Sequence, residues 1–177
     1  SNWMETYRGV VHAWECDVVE HFTIAYYFDR FADATRNYLD LIGAGESIGP
    51  AVNAGPSRLH VTFQDELRAG AQFHIASAVT AVEAGMLRLG HQVVDSTSGK
   101  TVTWLSESLA LPPIADCKEL HARTVAWQGP KLPERLAKSG RGIATTRDRV
   151  KPWEIGETGT LSLPAHVHRF SAVAMQA

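Results

Sequence analysis

The sequence predicts an α+β fold in which a curved antiparallel sheet wraps around one long helix. Two observations indicate this class. A strand-like stretch is followed by one long amphipathic segment, and several further strand-like stretches then succeed one another along the chain. Packing the helix on one face of the sheet is the economical way to bury the apolar side of both.

The first strand is predicted for residues 7–16, where apolar positions are interrupted by polar ones. The helix is predicted for residues 22–42, because apolar side chains recur there at helical spacing and charged side chains occupy the other side. Gly43 and Gly45 end the helix. Residues 43–56 are rich in glycine and proline, and we predict a loop there.

The remaining strands are predicted for residues 57–67, 71–84 and 85–111. The last of these is a hairpin whose turn covers residues 96–100. Gly99 is the residue of that turn that we expect at positive φ. Together with the first strand these segments supply the antiparallel sheet.

Residues 1–113 are therefore predicted to form one domain, and residues 114–177 a C-terminal extension with one short helix at 133–138. The end of the extension, "LPAHVHRFSAVAMQA", echoes "WECDVVEHFTIAYYF" near the start, with residues 168–171 aligned on residues 20–23. Such an echo raises the alternative that the extension opens a divergent second copy of the same fold.

Composition excludes several classes of partner. The formal net charge of −2 argues against a nucleic-acid-binding protein, and no apolar run approaches the roughly 18 residues of a membrane span. The two cysteines, Cys16 and Cys117, cannot build a disulfide framework. With no signal peptide ahead of the first strand, the sequence predicts a cytoplasmic protein.

Asp17 is the first candidate for chemistry, because it lies between the predicted strand and the predicted helix. An Asp before a helix is commonly a cap that stabilises the helix by about 1 kcal/mol. Asp17, however, stands several residues ahead of the helix, and Thr23 is better placed for the cap. The alternative is that Asp17 and the helix start together hold a reacting group.

Residues 17–23, Asp-Val-Val-Glu-His-Phe-Thr, followed by Tyr26 and Tyr27, resemble the 4-hydroxybenzoyl-CoA thioesterase-like branch of the hot-dog fold. The hairpin turn "DSTSGK" is similar to the D-x-x-[ST]-G-K turn of that family. The resemblance covers about residues 7–111. Two positions depart from the pattern, since the family often has Gly at the position of Glu20 and Asn at that of Thr23.

The resemblance implies an acyl-CoA thioesterase in which Asp17 acts either as the nucleophile or as a general base on water. It also implies that unpaired amides between Phe22 and Ile24 polarise the thioester carbonyl. The expected catalytic residues are Asp17, His21 and Glu20. The expected substrate-binding residues are Phe22, Thr23, Ile24, Tyr26, Tyr27, Arg58 and Arg88.

Coenzyme A is then part of the substrate, and neither a separate cofactor nor a metal is expected. On a strand, His166 and His168 would place two imidazoles on one face as a possible metal pair, but they lack a third ligand close in sequence. The resemblance also implies a homodimer or homotetramer formed by pairing of sheet edges. Two alternatives stay open: a non-catalytic hot-dog domain that binds acyl thioesters, and a hot-dog hydratase or dehydratase.

Overall fold

The computed structural model describes residues 3–113, 115, 117–133, 149–156 and 159–174, with the backbone alone for residues 171–174. Nine helices and strands lie within these ranges, along with two single-turn 3-10 helices, Ala13–Glu15 and Pro152–Glu154. They are β1 (Met4–Val10), α1 (Ile24–Leu41), α2 (Gly45–Ala54), β2 (Arg58–Phe63), β3 (Gln72–Glu83), β4 (Met86–Asp95), β5 (Thr101–Ala110), α3 (Cys117–Ala122) and α4 (Leu163–Ala174).

The five strands form one antiparallel sheet in the order β1-β3-β4-β5-β2. Helix α1 packs on one face of this sheet. Its buried side chains share one side of the helix, and they are Ala25, Tyr27, Phe28, Phe31, Ala34, Thr35, Tyr38 and Leu39. The apolar spacing seen in the sequence is therefore the face that contacts the sheet, and the predicted fold class is confirmed.

Residues 45–54 form helix α2, so the prediction of a loop over residues 43–56 was wrong. The helix contains Gly45, Gly49 and Pro50, a composition that disfavours helix formation. Ile48 and Ala51 are nevertheless buried in the apolar cluster that also contains Tyr38 and Leu39 of α1. Burial of this face outweighs the weak intrinsic propensity of the segment.

The β4–β5 hairpin follows the sequence prediction closely. Gly99 has a φ of 71°, the left-handed conformation that favours glycine. The Asp95 carboxylate accepts hydrogen bonds from the amides of Thr97 and Ser98 at 2.8 and 3.2 Å. This side chain therefore holds the turn between the two strands.

The first part of the C-terminal extension covers the other face of the sheet. The Val125 amide donates to the Val79 carbonyl of β3 at 2.9 Å, and the Trp127 ring lies 5.3 Å from that of Trp104 on β5. A Cβ at Gly90 of β4 would approach Trp127 within 2.9 Å, so glycine is needed for this packing. The short helix predicted at 133–138 lies outside the described residues, apart from residue 133.

A chain of hydrogen-bonded polar side chains is buried between α1 and the sheet. Glu107 Oε1 accepts from the Thr35 hydroxyl and lies 3.1 Å from His91 Nε2. His91 Nδ1 lies 2.7 Å from Ser77 Oγ, which lies 2.7 Å from Thr6 Oγ1. These five side chains, which we call the buried polar chain, connect α1 to four strands.

Candidate active site

Asp17 lies in a tight loop between β1 and α1. The 3-10 turn Ala13–Glu15 precedes it, and Cys16 and Phe22 form an isolated antiparallel bridge across the loop. The Asp17 amide donates to the His21 carbonyl at 2.9 Å, and the Glu20 amide donates to the Asp17 carbonyl at 3.0 Å. The loop is thus closed by its own backbone, with Asp17 on the surface.

The Asp17 carboxylate is anchored through one of its oxygens. Oδ1 accepts hydrogen bonds from the amides of Val19 at 3.0 Å and His21 at 2.9 Å. These bonds, the one from His21 foremost, lower the pKa of Asp17 below its ordinary value of 3.8. Oδ2 makes no hydrogen bond within the part of the chain that the structure describes. The loop therefore presents an ionised carboxylate with one oxygen facing water.

Helix α1 begins at Ile24, with Thr23 at the N-cap position. The amide of Phe22 donates to Leu67 O at 2.8 Å, and that of Thr23 donates to Glu15 O at 3.0 Å. The expectation that these two amides are unpaired was therefore wrong. Within the described residues, the first amides of α1 without a backbone acceptor belong to Ile24 and Ala25, next to the Asp17 loop.

Glu20 has a φ of 65°, and in the described ranges it is the one residue other than glycine with positive φ. This conformation disfavours residues that carry a Cβ, which explains why a glycine suits this position. The Glu20 side chain is exposed. Its carboxylate does not contact Asp17, and the catalytic role predicted for Glu20 stays a prediction.

Replacing Glu20 by Gly is expected to stabilise the protein by roughly 0.5–1 kcal/mol. Relief of the left-handed strain outweighs the larger chain entropy that glycine gains on unfolding. Urea unfolding followed by circular dichroism measures the change. Glu46→Gly in α2 is the matched control, because the backbone there is helical and the same substitution should destabilise by about 1 kcal/mol. An equal loss of stability in both variants would refute the strain at position 20.

His21 lies next to two charged side chains that no sequence pattern connects with it. Its Nε2 atom is 2.9 Å from Glu66 Oε2 and 3.0 Å from Arg68 Nη2. With Nε2 protonated the ring donates to Glu66, and with Nδ1 protonated it accepts from Arg68. Both residues belong to the segment between β2 and β3, which pairs with residues 21 and 22 through backbone bridges. Only the pairing of distant segments reveals this contact.

The predicted aromatic residues divide into a core and a surface group. Tyr27 is buried against Phe22, with ring centroids 4.5 Å apart, and burial raises its pKa to about 12. Tyr27 is therefore a neutral phenol at physiological pH. Tyr26 is half-buried and contacts Trp14 and His168 edge-on. Tyr26 therefore lies nearer to the surface beside the loop, and Tyr27 packs in the core.

The two arginines predicted to bind substrate lie at the other end of the sheet from the Asp17 loop. Arg58 and Arg88 both pair across the sheet with Ser108. Phe63, at the opposite end of β2 from Arg58, contacts Tyr27 near the start of α1. The length of β2, roughly 16 Å at 3.3 Å per residue, separates the two positions. Within one chain, Arg68 is a cation that lies much closer to Asp17.

Two general properties of the described residues bear on the site. None of the helices in these ranges is long and apolar enough to cross a membrane. Three or more His, Cys, Asp or Glu side chains arranged to hold a metal ion are also not found among these residues. His166 and His168 lie on helix α4, whereas the sequence analysis considered them on a strand.

One protein-family model matches most of the chain. The model of the family described as "Thioesterase-like superfamily" matches residues 11–138, which include β2 to β5, α1 and the Asp17 loop. No sequence among the curated proteins matches the chain.

Solved structures share the fold at low sequence identity. An acyl-ACP thioesterase from Bacteroides thetaiotaomicron VPI-5482 has a TM-score of 0.67 and 15% identity, and the alignment covers 97% of this chain and 73% of that one. The 12:0-ACP thioesterase from Umbellularia californica has a TM-score of 0.73 and 12% identity, with 95% and 73% covered. The protein SAV2348 from Staphylococcus aureus, solved in complex with CoA, has a TM-score of 0.57 and 14% identity, with 77% and 97% covered.

The curved sheet around one long helix, together with these matches, defines a thioester hydrolase of the hot-dog fold. The chain belongs to the thioesterase-like superfamily. The resemblance seen in residues 17–27 is thereby confirmed at the level of the family.

Proposed function

We propose that the protein is an acyl-CoA thioesterase in which the Asp17 carboxylate acts on the thioester carbonyl. The observation that carries the proposal is the geometry of this one side chain. Its Oδ1 is held by two amides, its Oδ2 faces water, and hydrogen bonds keep its pKa low. An ionised, positioned and accessible carboxylate meets the requirement for a nucleophile or a general base.

Two routes are chemically balanced at this site. As nucleophile, Oδ2 of Asp17 bonds to the acyl carbon, the C–S bond breaks, the thiolate leaves, and water then hydrolyses the mixed anhydride. As general base, Oδ2 takes a proton from a water whose oxygen bonds to the acyl carbon, the C–S bond breaks, and the leaving thiolate takes up the proton held by Asp17. A single turnover in ¹⁸O-labelled water, with mass analysis of the Asp17 peptide and of the product acid, distinguishes the routes.

The developing negative charge on the carbonyl oxygen needs donors close to Asp17. The amides of Ile24 and Ala25 at the start of α1 supply them, and the helix dipole favours negative charge at this end. One donor of this kind typically lowers a barrier by roughly 3–4 kcal/mol. The carboxylate would thus act at the carbon of the thioester carbonyl, and the helix start at its oxygen.

The coenzyme A portion would lie over the charged surface beside the loop. Arg68, close to His21, and Lys100, which pairs with Asp65 at 2.5 Å, are cations available for its phosphates. We propose no additional cofactor, because an attacking oxygen and carbonyl donors are both supplied by the chain. The exposed edges of β1 and β2 are suited to pairing in a homodimer or homotetramer.

The proposal is tested by hydrolysis of a panel of acyl-CoAs with short, long, branched and aromatic acyl groups. Release of free thiol is followed with a chromogenic disulfide. Turnover of at least one class supports the enzyme. If no member is hydrolysed but some raise the melting temperature, the protein is a non-catalytic acyl-thioester-binding domain and the proposed activity is wrong.

The pH dependence of kcat/KM follows from the lowered pKa of Asp17. The reactive form is the ionised carboxylate, so activity is present above this pKa and is lost as the pH falls through it. We expect the acid limb of kcat/KM to lie below the ordinary aspartate pKa of 3.8, with folding monitored in parallel by circular dichroism. A decline that begins near pH 6 while the protein stays folded would assign the titrating group to a residue other than Asp17.

A further inference from the structure

Residues 151–156 and 159–174 repeat the backbone hydrogen bonding of the corresponding residues of 12–35. In the first segment the amide of Asp17 donates to the residue 21 carbonyl, and the amide of Thr23 donates to Glu15 O. In the second segment Gly156 donates to the residue 160 carbonyl at 2.8 Å, and Ser162 donates to Glu154 O at 2.8 Å. Each partner lies 139 positions after its counterpart, as Glu154 does after Glu15.

The same spacing extends to structure around these bonds. Each segment opens with a single 3-10 turn, Ala13–Glu15 or Pro152–Glu154, and continues through an isolated bridge between residues six positions apart. A positive φ recurs at the corresponding place, 65° at Glu20 and 76° at Gly159. Each segment then begins a helix, α1 or α4, one residue after a hydroxyl-bearing side chain.

An ion pair, which we call the Glu–Arg clamp, is also present twice. Glu15 is fully buried, accepts the His12 amide at 2.9 Å and pairs with Arg30 of α1. Glu154 accepts the Lys151 amide at 2.6 Å and pairs with Arg169 of α4 at 2.7 Å. In both segments the glutamate and arginine are 15 residues apart. The clamp ties the turn before the loop to the helix after it.

The reactive groups are absent from the second segment. Gly156 occupies the position of Asp17, and Thr160 occupies that of His21. A Cβ at Gly156 would find its nearest neighbours at 3.7 Å, which is ordinary contact, so space does not demand glycine there. The features that repeat shape the loop, whereas the positions of Asp17 and His21 carry other side chains.

Two equivalent positions of the helices also line one cavity. Asp29 of α1 corresponds to His168 of α4, and both line a cavity of about 420 Å³ whose other lining residues belong to the second segment. The alignment with residues 168–171 on 20–23, predicted from sequence, is not the one the structure supports, because Arg169 corresponds to Arg30.

We propose that residues 151–174 are a second copy of the loop-and-helix unit of residues 12–35, one that retains the Glu–Arg clamp and lacks the reactive side chains. It follows that Glu15 and Arg30 are positioning residues, which hold the loop so that Val19 and His21 donate to Asp17. This consequence rests on the proposed function of Asp17. The second clamp holds a loop with no reactive group to position.

The paired variants Glu15→Gln and Glu154→Gln test this, because they remove the same charge from the same clamp. We expect Glu15→Gln to lower kcat about tenfold with KM within about twofold, since small misplacements of a reacting group slow the chemical step. We also expect its acid limb in kcat/KM to move to higher pH, as the hydrogen bonds to Asp17 loosen. Glu154→Gln should keep kcat within about twofold and leave the acid limb unchanged. Arg30→Gln removes the more exposed partner of the same clamp, and it should reproduce the effect of Glu15→Gln.

Amide hydrogen exchange tests the repeat independently of activity. Exchange of the Thr23 amide should accelerate in Glu15→Gln, and that of the Ser162 amide in Glu154→Gln. Unchanged exchange at Ser162 would overturn the second clamp. Equal loss of kcat in both glutamate variants, or none in Glu15→Gln, would overturn the positioning role. If the wild type hydrolyses no thioester, the proposed function fails while the exchange result still decides whether the unit is repeated.

Discussion

Asp17→Asn is expected to lower kcat at least about a hundredfold and to leave KM within a few fold. Asparagine keeps the size of the side chain and an oxygen that accepts the amides of Val19 and His21, so the loop should persist. It removes the charge and the basicity that either proposed route requires. A loss confined to kcat identifies an interaction made in the chemical step. Steady-state kinetics on the best acyl-CoA of the panel provides the measurement.

Asp95→Asn is the matched control, because Asp95 also accepts two backbone amides in a turn and its pKa is also lowered by them. If Asp17 only holds its loop, the two variants should behave alike, with a modest loss of stability and kcat near that of the wild type. If Asp17 reacts, only Asp17→Asn loses activity. Urea unfolding of both variants separates an effect on folding from one on the chemical step.

The parts of the fold that could be predicted from sequence depend on local patterns. The spacing of Phe28, Phe31 and Tyr38 marks the buried face of α1, and Gly99 marks a turn whose backbone conformation favours glycine. Helix α2 could not be predicted in this way. Its local sequence disfavours a helix, and the burial of Ile48 that stabilises it depends on tertiary packing.

The surroundings of the candidate site depend on contacts between distant segments. Glu66 and Arg68 approach His21 because the segment between β2 and β3 pairs with the loop before α1, a register that single-sequence patterns do not determine. For Arg58 and Arg88, the sequence indicates a strand but not which end of the sheet each arginine occupies. The sequence patterns therefore did not connect Glu66 and Arg68 with His21. They also assigned Arg58 and Arg88 to a site at the other end of the sheet.

The repeated unit shows a similar limit. Between the two segments, side-chain identity is confined to a few positions such as Trp14 and Trp153, and a short apolar match suggested a different alignment. The constant features are backbone hydrogen bonds, a positive φ and a glutamate and arginine 15 residues apart. Such features tolerate many sequences, because they depend on backbone geometry and one ion pair. Coordinates are needed to align them.

The largest expected effect on stability comes from Glu107, in the buried polar chain. Glu107→Ala should destabilise the protein by about 3–5 kcal/mol, because it leaves Thr35 and His91 buried without their partner and opens a cavity. Glu107→Gln keeps the shape and an acceptor for both groups, so its loss should be smaller, about 1–2 kcal/mol. Urea unfolding at neutral pH, monitored by tryptophan fluorescence, measures both changes.

Glu5→Ala is the control for the loss of a carboxylate at the surface, since Glu5 pairs with Arg8 in an exposed ion pair. Such pairs contribute roughly 0–1 kcal/mol. If Glu107→Ala costs no more than Glu5→Ala, the buried polar chain is not a determinant of stability, and water must satisfy the groups left behind. A large difference between the alanine and glutamine variants would instead show that hydrogen bonding, more than charge, joins α1 to the sheet behind the candidate site.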